Sequence, residues 1–501
     1  MKLKLAARKS DLARLQALTV GQVLCSKNPD LQIEYLFSAS LGDKNLTDPL
    51  WQMPDKGVFT SDLTQGLIQG QHDFVVHSWK DLPTEVSPLT EIIATLPRED
   101  VRDLFLFRPE SINKKDLVIL SSSPRREYNN GPFITSVLPW ENSLQFKSVR
   151  GNIPTRIEKL IDGEGDGLFV AKAAIDRLLS SQENEFASVR KFLRSALAKL
   201  KWMVMPISYC PTAAAQGALA IEILKSRKDL AALFKKINDP KTFDAVLTER
   251  KILKSYGGGC HQKIGVNILP HAKGTILSLR GKTDAGEELQ KFQFQEENYL
   301  QKFMENELFP LTMTENKLFT DEEVSFDQSL LQNKDLFIAK WTAWPVSYRP
   351  LSNQLIWASG IRSWQKLAKI GVWVNGCSDG LGEEESLHLD ILANRTPTWL
   401  RLTHMDADHM SMGKNKLNAE SLGTYQLKLR EPFPDLRQKR SFYWSSFNHF
   451  QAAVKRFPEI KKYHHAAGPG KTFDKIKEAL GEQGQLSVFI SQKRWLQVVK
   501  K

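Results

Sequence analysis

The chain has 501 residues, 41% hydrophobic and 25% charged, a balance close to that of ordinary folded domains, which excludes long disorder and a collagen-like class. Its length allows roughly three domains, and no run approaches the ~18 apolar residues of a membrane span. The opening MKLKLAARKSDLARLQ places charges where a signal peptide needs an apolar stretch, so a cytoplasmic protein is expected, with no membrane partner. The net charge of +12 suits nucleic acid, a membrane surface or an acidic small molecule. Basic residues are spread without a tail or a nucleic-acid motif, so the placement of individual arginines is the better guide.

In chain order, the first 220 or so residues alternate short apolar runs, polar loops and amphipathic stretches, the pattern of an α/β fold. LKLAA leads into Arg8-Lys9-Ser10, and Ser10 is placed to cap a helix whose apolar face is Leu12, Leu15, Val20, Val23 and Leu24. DFVVH leads into SWKDLP, LVIL into SSSPRRE, and QFKSV into RGNIPTRIEKLI, where Pro154 suits a first helical turn. DGLFVAKAAIDRLL carries Arg177 just past another apolar run. Ligands of open α/β sheets sit beyond the carboxyl ends of the strands, so Arg8, Lys80, Asp81, Arg125, Arg126, Arg150, Arg156 and Arg177 are expected to line one cleft.

So many cations repel one another unless anions join them, which points to a ligand with several carboxylates or phosphates. The plainer reading of each arginine alone is a solvated residue at a helix start. A Walker-type loop is absent, which makes a simple nucleotide the weaker ligand. Asp81 reads either as a counter-ion of Lys80 or as a carboxylate that stabilises a developing cation and moves protons.

Further on, YGGGCHQKIG sets Cys260 behind three glycines, residues tolerated where φ is positive or where something approaches the backbone closely. This thiol reads as presented rather than packed. Cys25, Cys210, Cys260 and Cys377 are widely spaced with no CxxC pair, so neither a disulfide framework nor a zinc site is expected. Cys25 falls on the apolar face of the first helix, whereas Cys210 and Cys377 read as loop thiols. HMDADH, His404 to His409, alternates imidazole and carboxylate, yet no helix aligns them, and no metal is expected.

Ten ordered blocks carry a resemblance: ARKSDLARLQA, GDKNLTDPL, DKGVFTSDL, VVHSWKDLPTE, LPREDVRD, SSSPRRE, VRGNIPTRIEKLIDGEGD, AAAQGALAIE, TERKILKSYGGGCHQKIGV and LRG. Over roughly residues 1–310 the chain resembles the hydroxymethylbilane synthases, also called porphobilinogen deaminases. The resemblance implies an α/β fold of two periplasmic-binding-protein-like lobes (1–97 plus 212–240, and 98–211) and a small α+β domain (241–315) carrying Cys260. It implies a transferase that condenses four porphobilinogen molecules, with release of ammonia, onto a dipyrromethane cofactor joined to Cys260 by a thioether. Asp81 takes the catalytic role in that reading, assisting deamination to an azafulvene cation. The cofactor falls to Arg8, Ser10, Lys80, Asp81, Ser123, Arg125, Arg126 and Gly151 beside Cys260. Substrate falls to Arg8, Gln16, Phe59 as an apolar wall, Arg150, Arg156, Arg177 and Gln216.

The chain departs from the family pattern at Pro54-Asp55, Pro124 and Ala215, where the family has Gly-Gly, a residue with a backbone donor, and glycine. Residues 326–501 lie beyond the family pattern. LIWASGIRSWQKLAKIGVWVNGCSDGLGE reads as strand, helix, strand and turn, and SFYWSSFNHFQAAVKRFPEIKKYHHAAGPGKTFDKIKEALGE repeats that order with a helix capped near Thr472. Both resemble pieces of uroporphyrinogen-III synthase, which implies a C-terminal α/β domain able to receive hydroxymethylbilane. A competing reading of the first 310 residues is a non-catalytic anion-binding receptor of two lobes, which needs the arginines and neither Asp81 nor Cys260. A third is nucleic-acid binding driven by net charge, which predicts steeply salt-dependent affinity.

Overall fold

Lys2 to Leu5 alternate charged and apolar side chains, Ala6-Ala7 continue the apolar run to Arg8, and together they form the first strand, β1 (Lys2–Arg8), of the computed structural model. The structure describes residues 1–39, 60–258, 262–295, 301–383, 387–406, 419–482 and 484–501. Phe59, Cys260 and the Pro54-Asp55 departure lie outside them.

The chain divides into two units, one of residues 1–270, 278–291 and 390–394, the other of 271–277, 292–389 and 395–501. In the first unit, β1 pairs in parallel with β2 (Gln32–Ser38) and β3 (Phe74–Ser78). β4 (Thr90–Ala94) lies at the far edge, and the sheet closes only when the chain returns as β10 (Leu219–Leu224), antiparallel between β3 and β4. Helix Asp11–Lys27 lays Ala17, Val20 and Leu24 toward this sheet, and the core there gathers Leu3, Leu5, Phe74, Val76, Ile221 and Phe234. Burying each large apolar side chain of that set contributes about 1.5–3 kcal/mol.

Between β4 and β10 the chain builds a second five-stranded sheet from β5 (Asp103–Phe107), β6 (Asp116–Leu120), β7 (Ser143–Lys147), β8 (Gly167–Ala171) and β9 (Lys201–Val204), in the order β7-β6-β8-β5-β9. β6, β7 and β8 run parallel, and β5 is antiparallel to both its neighbours. β5 and β8 are buried along their whole length, as a sheet covered on both faces requires. Pro124 opens helix Pro124–Val137, where a backbone N–H would have no intrahelical partner, so its missing donor costs the helix nothing. A three-stranded sheet follows, β11 (Gly265–His271), β12 (Gly274–Lys282) and β13 (Glu288–Phe294), in that order.

The second unit holds two sheets. One is parallel throughout, β14 (Leu308–Phe309), β21 (Ser441–Trp444), β22 (His464–Ala467) and β23 (Gln485–Val488). The other has the order β15-β20-β19-β16-β17-β18, where β15 is Phe319–Glu323, β16 Asp335–Ile338, β17 Ile356–Ala358, β18 Gly376–Cys377, β19 Trp399–His404 and β20 Glu420–Leu429. β15 alone in it runs antiparallel to its neighbour. Pairing of β14 and β15 therefore draws chain before residue 326 into this unit. Cys377 sits in a strand and is buried, not in the loop expected of it, and Cys25 is half-buried against the first sheet's core. The helix after β22 is capped by Gly470 with no side-chain bond, so Thr472 lies inside it rather than at its cap.

Candidate active site

The ends of β1, β3, β6, β7 and β8, with the turns and helix starts that follow them, carry most of the expected site residues. After β3 the chain makes one tight turn, Trp79–Asp81. Trp79 and Leu82 are buried with Ala215, Ala218 and Val246, so Lys80 and Asp81 are held between two apolar anchors. The Trp79 N–H donates to the Ala218 carbonyl at 3.0 Å, and Arg250 donates to the carbonyls of Trp79, Leu82 and Pro83. The turn is therefore fixed by backbone contacts that leave the side chains of Lys80 and Asp81 for other work.

After β6, Ser123 caps helix Pro124–Val137 by accepting from the Arg126 N–H, which turns the Arg125-Arg126 pair inward. Both guanidinium groups meet a carboxylate that sequence reasoning missed, Asp103 at the start of β5. Arg125 Nη1 donates to Asp103 Oδ2 at 2.9 Å and Arg126 Nη2 to Oδ1 at 2.8 Å. Gln216 Nε2 donates to Oδ1 at 2.9 Å, and Gln216 Oε1 accepts from Lys80 Nζ at 3.3 Å. Burial alone would raise the Asp103 carboxyl, but the charges of Arg125 and Arg126 outweigh it and hold it far below the usual carboxylate range.

The cations feel one another between the loops of the two five-stranded sheets. Burial pushes the Lys80 ammonium down to about 8, with Arg126 and Arg125 pressing the same way and Asp81 and Asp103 opposing. Arg156 is lowered to about 10 by burial and by Arg126 and Arg150, with Asp81 opposing. The structure thus brings together Lys80, Asp81, Arg125, Arg126, Arg150, Arg156 and Gln216. Gly151, at φ 112°, turns its carbonyl to Arg156 Nε at 2.8 Å.

Two other expected members, Arg177 and Gln16, are held by neighbours outside this cluster. Arg177 Nη2 donates to the Gly217 carbonyl at 2.6 Å, and burial lowers its pKa. Gln16 is buried and accepts from Ser78 Oγ at 2.9 Å. Arg8, the last residue of β1, and Ser10, at the helix cap position without a side-chain cap bond, are half-buried. Helix Pro240–Ser255 leads into the glycine run, where Gly257 and Gly258 have φ of 98° and 62°. A Cβ on Gly258 would lie 2.7 Å from Thr84 Oγ1, so the chain entering the Cys260 segment runs close against the loop that follows Asp81. The described residues hold no metal-binding cluster, and residues 407–409 of HMDADH lie outside them.

Residues 3–232 match the family described as "Porphobilinogen deaminase, dipyromethane cofactor binding domain". The porphobilinogen deaminase of Syntrophomonas wolfei is 34% identical over 283 residues, which is 56% of this chain and 84% of that protein. The chain belongs to the porphobilinogen deaminase family. The Nostoc deaminase is likewise 34% identical, over 55% of this chain and 80% of its own length. Among solved structures, a TRAP periplasmic solute binding protein from Desulfovibrio salexigens aligns over 51% of this chain and 76% of its own at 11% identity and TM-score 0.25, a likeness too slight to bear on fold or function. As a deaminase family member the chain is a transferase of tetrapyrrole synthesis, and the matched domain is the one that binds the family's dipyrromethane. The site fits that group. Arg126 is nine-tenths buried, yet its Nε has no hydrogen-bond partner among the described residues, an orphaned donor suited to a ligand carboxylate. No helix of the described residues is long and apolar enough to cross a membrane.

Proposed function

We propose that the chain is a hydroxymethylbilane synthase, condensing four porphobilinogen molecules in turn onto a dipyrromethane held by the Cys260 thioether, releasing ammonia at each step and finally hydroxymethylbilane. The observation that carries this reading is the position of Lys80 and Asp81, pinned by Trp79 and Leu82, against the guanidinium cluster of the other lobe. The dipyrromethane, when bound, supplies the nucleophilic pyrrole carbon on which the chain grows.

The protein's own side chains bind, orient and move protons. Lys80, Arg126, Arg150 and Arg156 receive acetate and propionate carboxylates, with Arg8, Ser10, Gln16, Ser123, Arg125, Gly151, Arg177 and Gln216 shaping the same cleft and Phe59 forming an apolar wall. Asp81 stabilises positive charge that develops on a pyrrole as the amine leaves, and it moves a proton to and from that site. A bare anion receptor needs no acid at that point.

The test is the intact mass of the purified protein made in a haem-synthesising host, which should exceed the sequence mass by two pyrrole units and colour with an aldehyde reagent for pyrroles. Cys260→Ser should fold without that mass, because a hydroxyl is far less ionised than a thiol. Asp81→Ala should lose at least ~10²-fold in turnover. A bare sequence mass in the wild type would favour the receptor reading.

A second reading concerns residues 326–501, and a specific arrangement favours it. In the second unit the loop after β18 meets the loop after β22, with Gly382 against Gly470 at 3.3 Å from a built Cβ to the opposing Cα. Arg401 donates to Glu383 at 2.9 Å, and Lys471 pairs with the same carboxylate at 3.2 Å. The charge of Lys475 also reaches His404 there. These cations suit a linear polycarboxylate, so this unit receives hydroxymethylbilane and closes it to the type III ring. Oxidised porphyrins from the whole chain fed porphobilinogen should be mainly type III, whereas purely type I product would sink the bifunctional reading.

A further inference from the structure

We propose that Asp103 is a positioning residue of the deaminase site, the buried carboxylate that sets Arg125, Arg126 and the Gln216 amide at the angles that receive ligand carboxylates. Asp103 is fully buried at the start of β5, and each of its oxygens takes two donors. Oδ1 accepts from Arg126 Nη2 at 2.8 Å and Gln216 Nε2 at 2.9 Å, and Oδ2 from Arg125 Nη1 at 2.9 Å and Asn130 Nδ2 at 3.2 Å. An ionised carboxylate offers about four acceptor sites, so none is left for a substrate proton or donor and its work is geometric.

The remaining donors are fixed as a consequence. Arg125 Nη1 also donates to the Pro211 carbonyl at 3.0 Å, and Arg126 Nη1 to that of Phe169 at 3.1 Å. With both terminal nitrogens of Arg126 engaged, the direction of its orphaned Nε is set by its neighbours. Gln216 Nε2 touches two acceptors, Asp103 and the Val101 carbonyl at 2.8 Å, so the amide oxygen must face Lys80. A single buried carboxylate therefore sets the arginines of one lobe and, through Gln216, the lysine of the other. A solvent-exposed counter-ion could not do this, because water would compete for each donor.

The inference rests on the deaminase reading, and the experiment separates the two. Wild type, Asp103→Asn and Asn130→Ala are purified as full chains, and each is measured for dipyrromethane mass, for KM and kcat with porphobilinogen, and for the pH profile. Asp103→Asn keeps the shape and removes the charge. It should lower cofactor occupancy, raise KM by about tenfold with a smaller fall in kcat, and move the alkaline limb to lower pH. That limb belongs to Lys80, which faces Asp81 on its own turn, Asp103 on β5 and Arg125 and Arg126 on helix Pro124–Val137. Asn130→Ala removes one bond from the same carboxylate and should raise KM about threefold at unchanged kcat, so it decides the matter if Asp103→Asn is insoluble. Wild-type occupancy, KM and pH profile in a soluble Asp103→Asn, or an unchanged KM in Asn130→Ala, would overturn the assignment. A wild-type chain with neither pyrrole mass nor turnover would overturn the functional reading and this assignment with it.

Discussion

Arg98 meets Glu249 with both ends of its guanidinium, Nη1 to Oε1 at 2.7 Å and Nη2 to Oε2 at 2.9 Å, and the Glu249 side chain has no exposure to water. The same carboxylate accepts the N–H groups of Ala215 at 2.7 Å and Ile268 at 2.8 Å. It ties the loop bearing Gln216 and strand β11 to the helix that leads toward Cys260. Glu249→Gln leaves a buried guanidinium without its charge partner, and such losses cost about 3–5 kcal/mol. The expected outcome is an unfolding free energy, the product of urea midpoint and slope, lowered by that amount through a lower midpoint at unchanged slope; a loss below about 1 kcal/mol would show the pair to be dispensable.

Lys80 links pH to ligand affinity. Its ammonium is lowered to about 8 by burial, so above that pH the empty site increasingly holds a neutral amine. Carboxylate ligands need the charged form, so KM should rise as pH passes about 8. Lys80→Arg should flatten that rise because guanidinium stays charged. An identical alkaline limb in the arginine variant would assign the limb to another group. The sign for folding is opposite: between about 8 and the unfolded value of 10.5 the unfolded chain binds more protons, so Lys80's own contribution makes the ligand-free fold more stable as pH rises through that window.

Two neighbouring positions with positive φ should respond in opposite directions. Ala215 adopts φ 68°, a conformation that strains an L-residue by about 1–2 kcal/mol, and Ala215→Gly relieves that strain while adding about 0.4–1 kcal/mol of unfolded-state entropy. The net expectation is unchanged to slightly raised stability. Gly217, at φ 88°, has no such latitude, since a Cβ there would lie 2.6 Å from the Glu99 carbonyl oxygen. Gly217→Ala should therefore destabilise the fold and weaken the Arg177 bond to the Gly217 carbonyl. Equal melting temperatures for both variants would contradict the contrast.

The loops behind apolar runs were legible because each motif joins a strand to a helix start. SSSPRRE needs only its proline and its preceding LVIL to place Arg125 and Arg126 at the end of β6. Asp103 was not legible. Glu99, Asp100 and Asp103 all precede LFLF, and sequence gives no way to tell which acid lies under the sheet and which at its rim. The one available signal is that Asp103 opens a strand apolar on both faces, where a charge must be paired. β14 escaped reading because two residues carry no periodicity, and the cap at Gly470 was misplaced because Thr472 offers a hydroxyl two residues too late.

The return of β10 to the middle of the first sheet has a consequence for synthesis of the chain. β3 and β4 cannot be joined until Leu219–Leu224 has been made, whereas every strand of the second sheet lies between Asp103 and Val204. Domains emerging from the ribosome usually fold in order from the N-terminus. Here the strands of the second sheet are all made first, and the earlier-begun first sheet must wait, with the partner edges of β3 and β4 unpaired, until the second has been translated through.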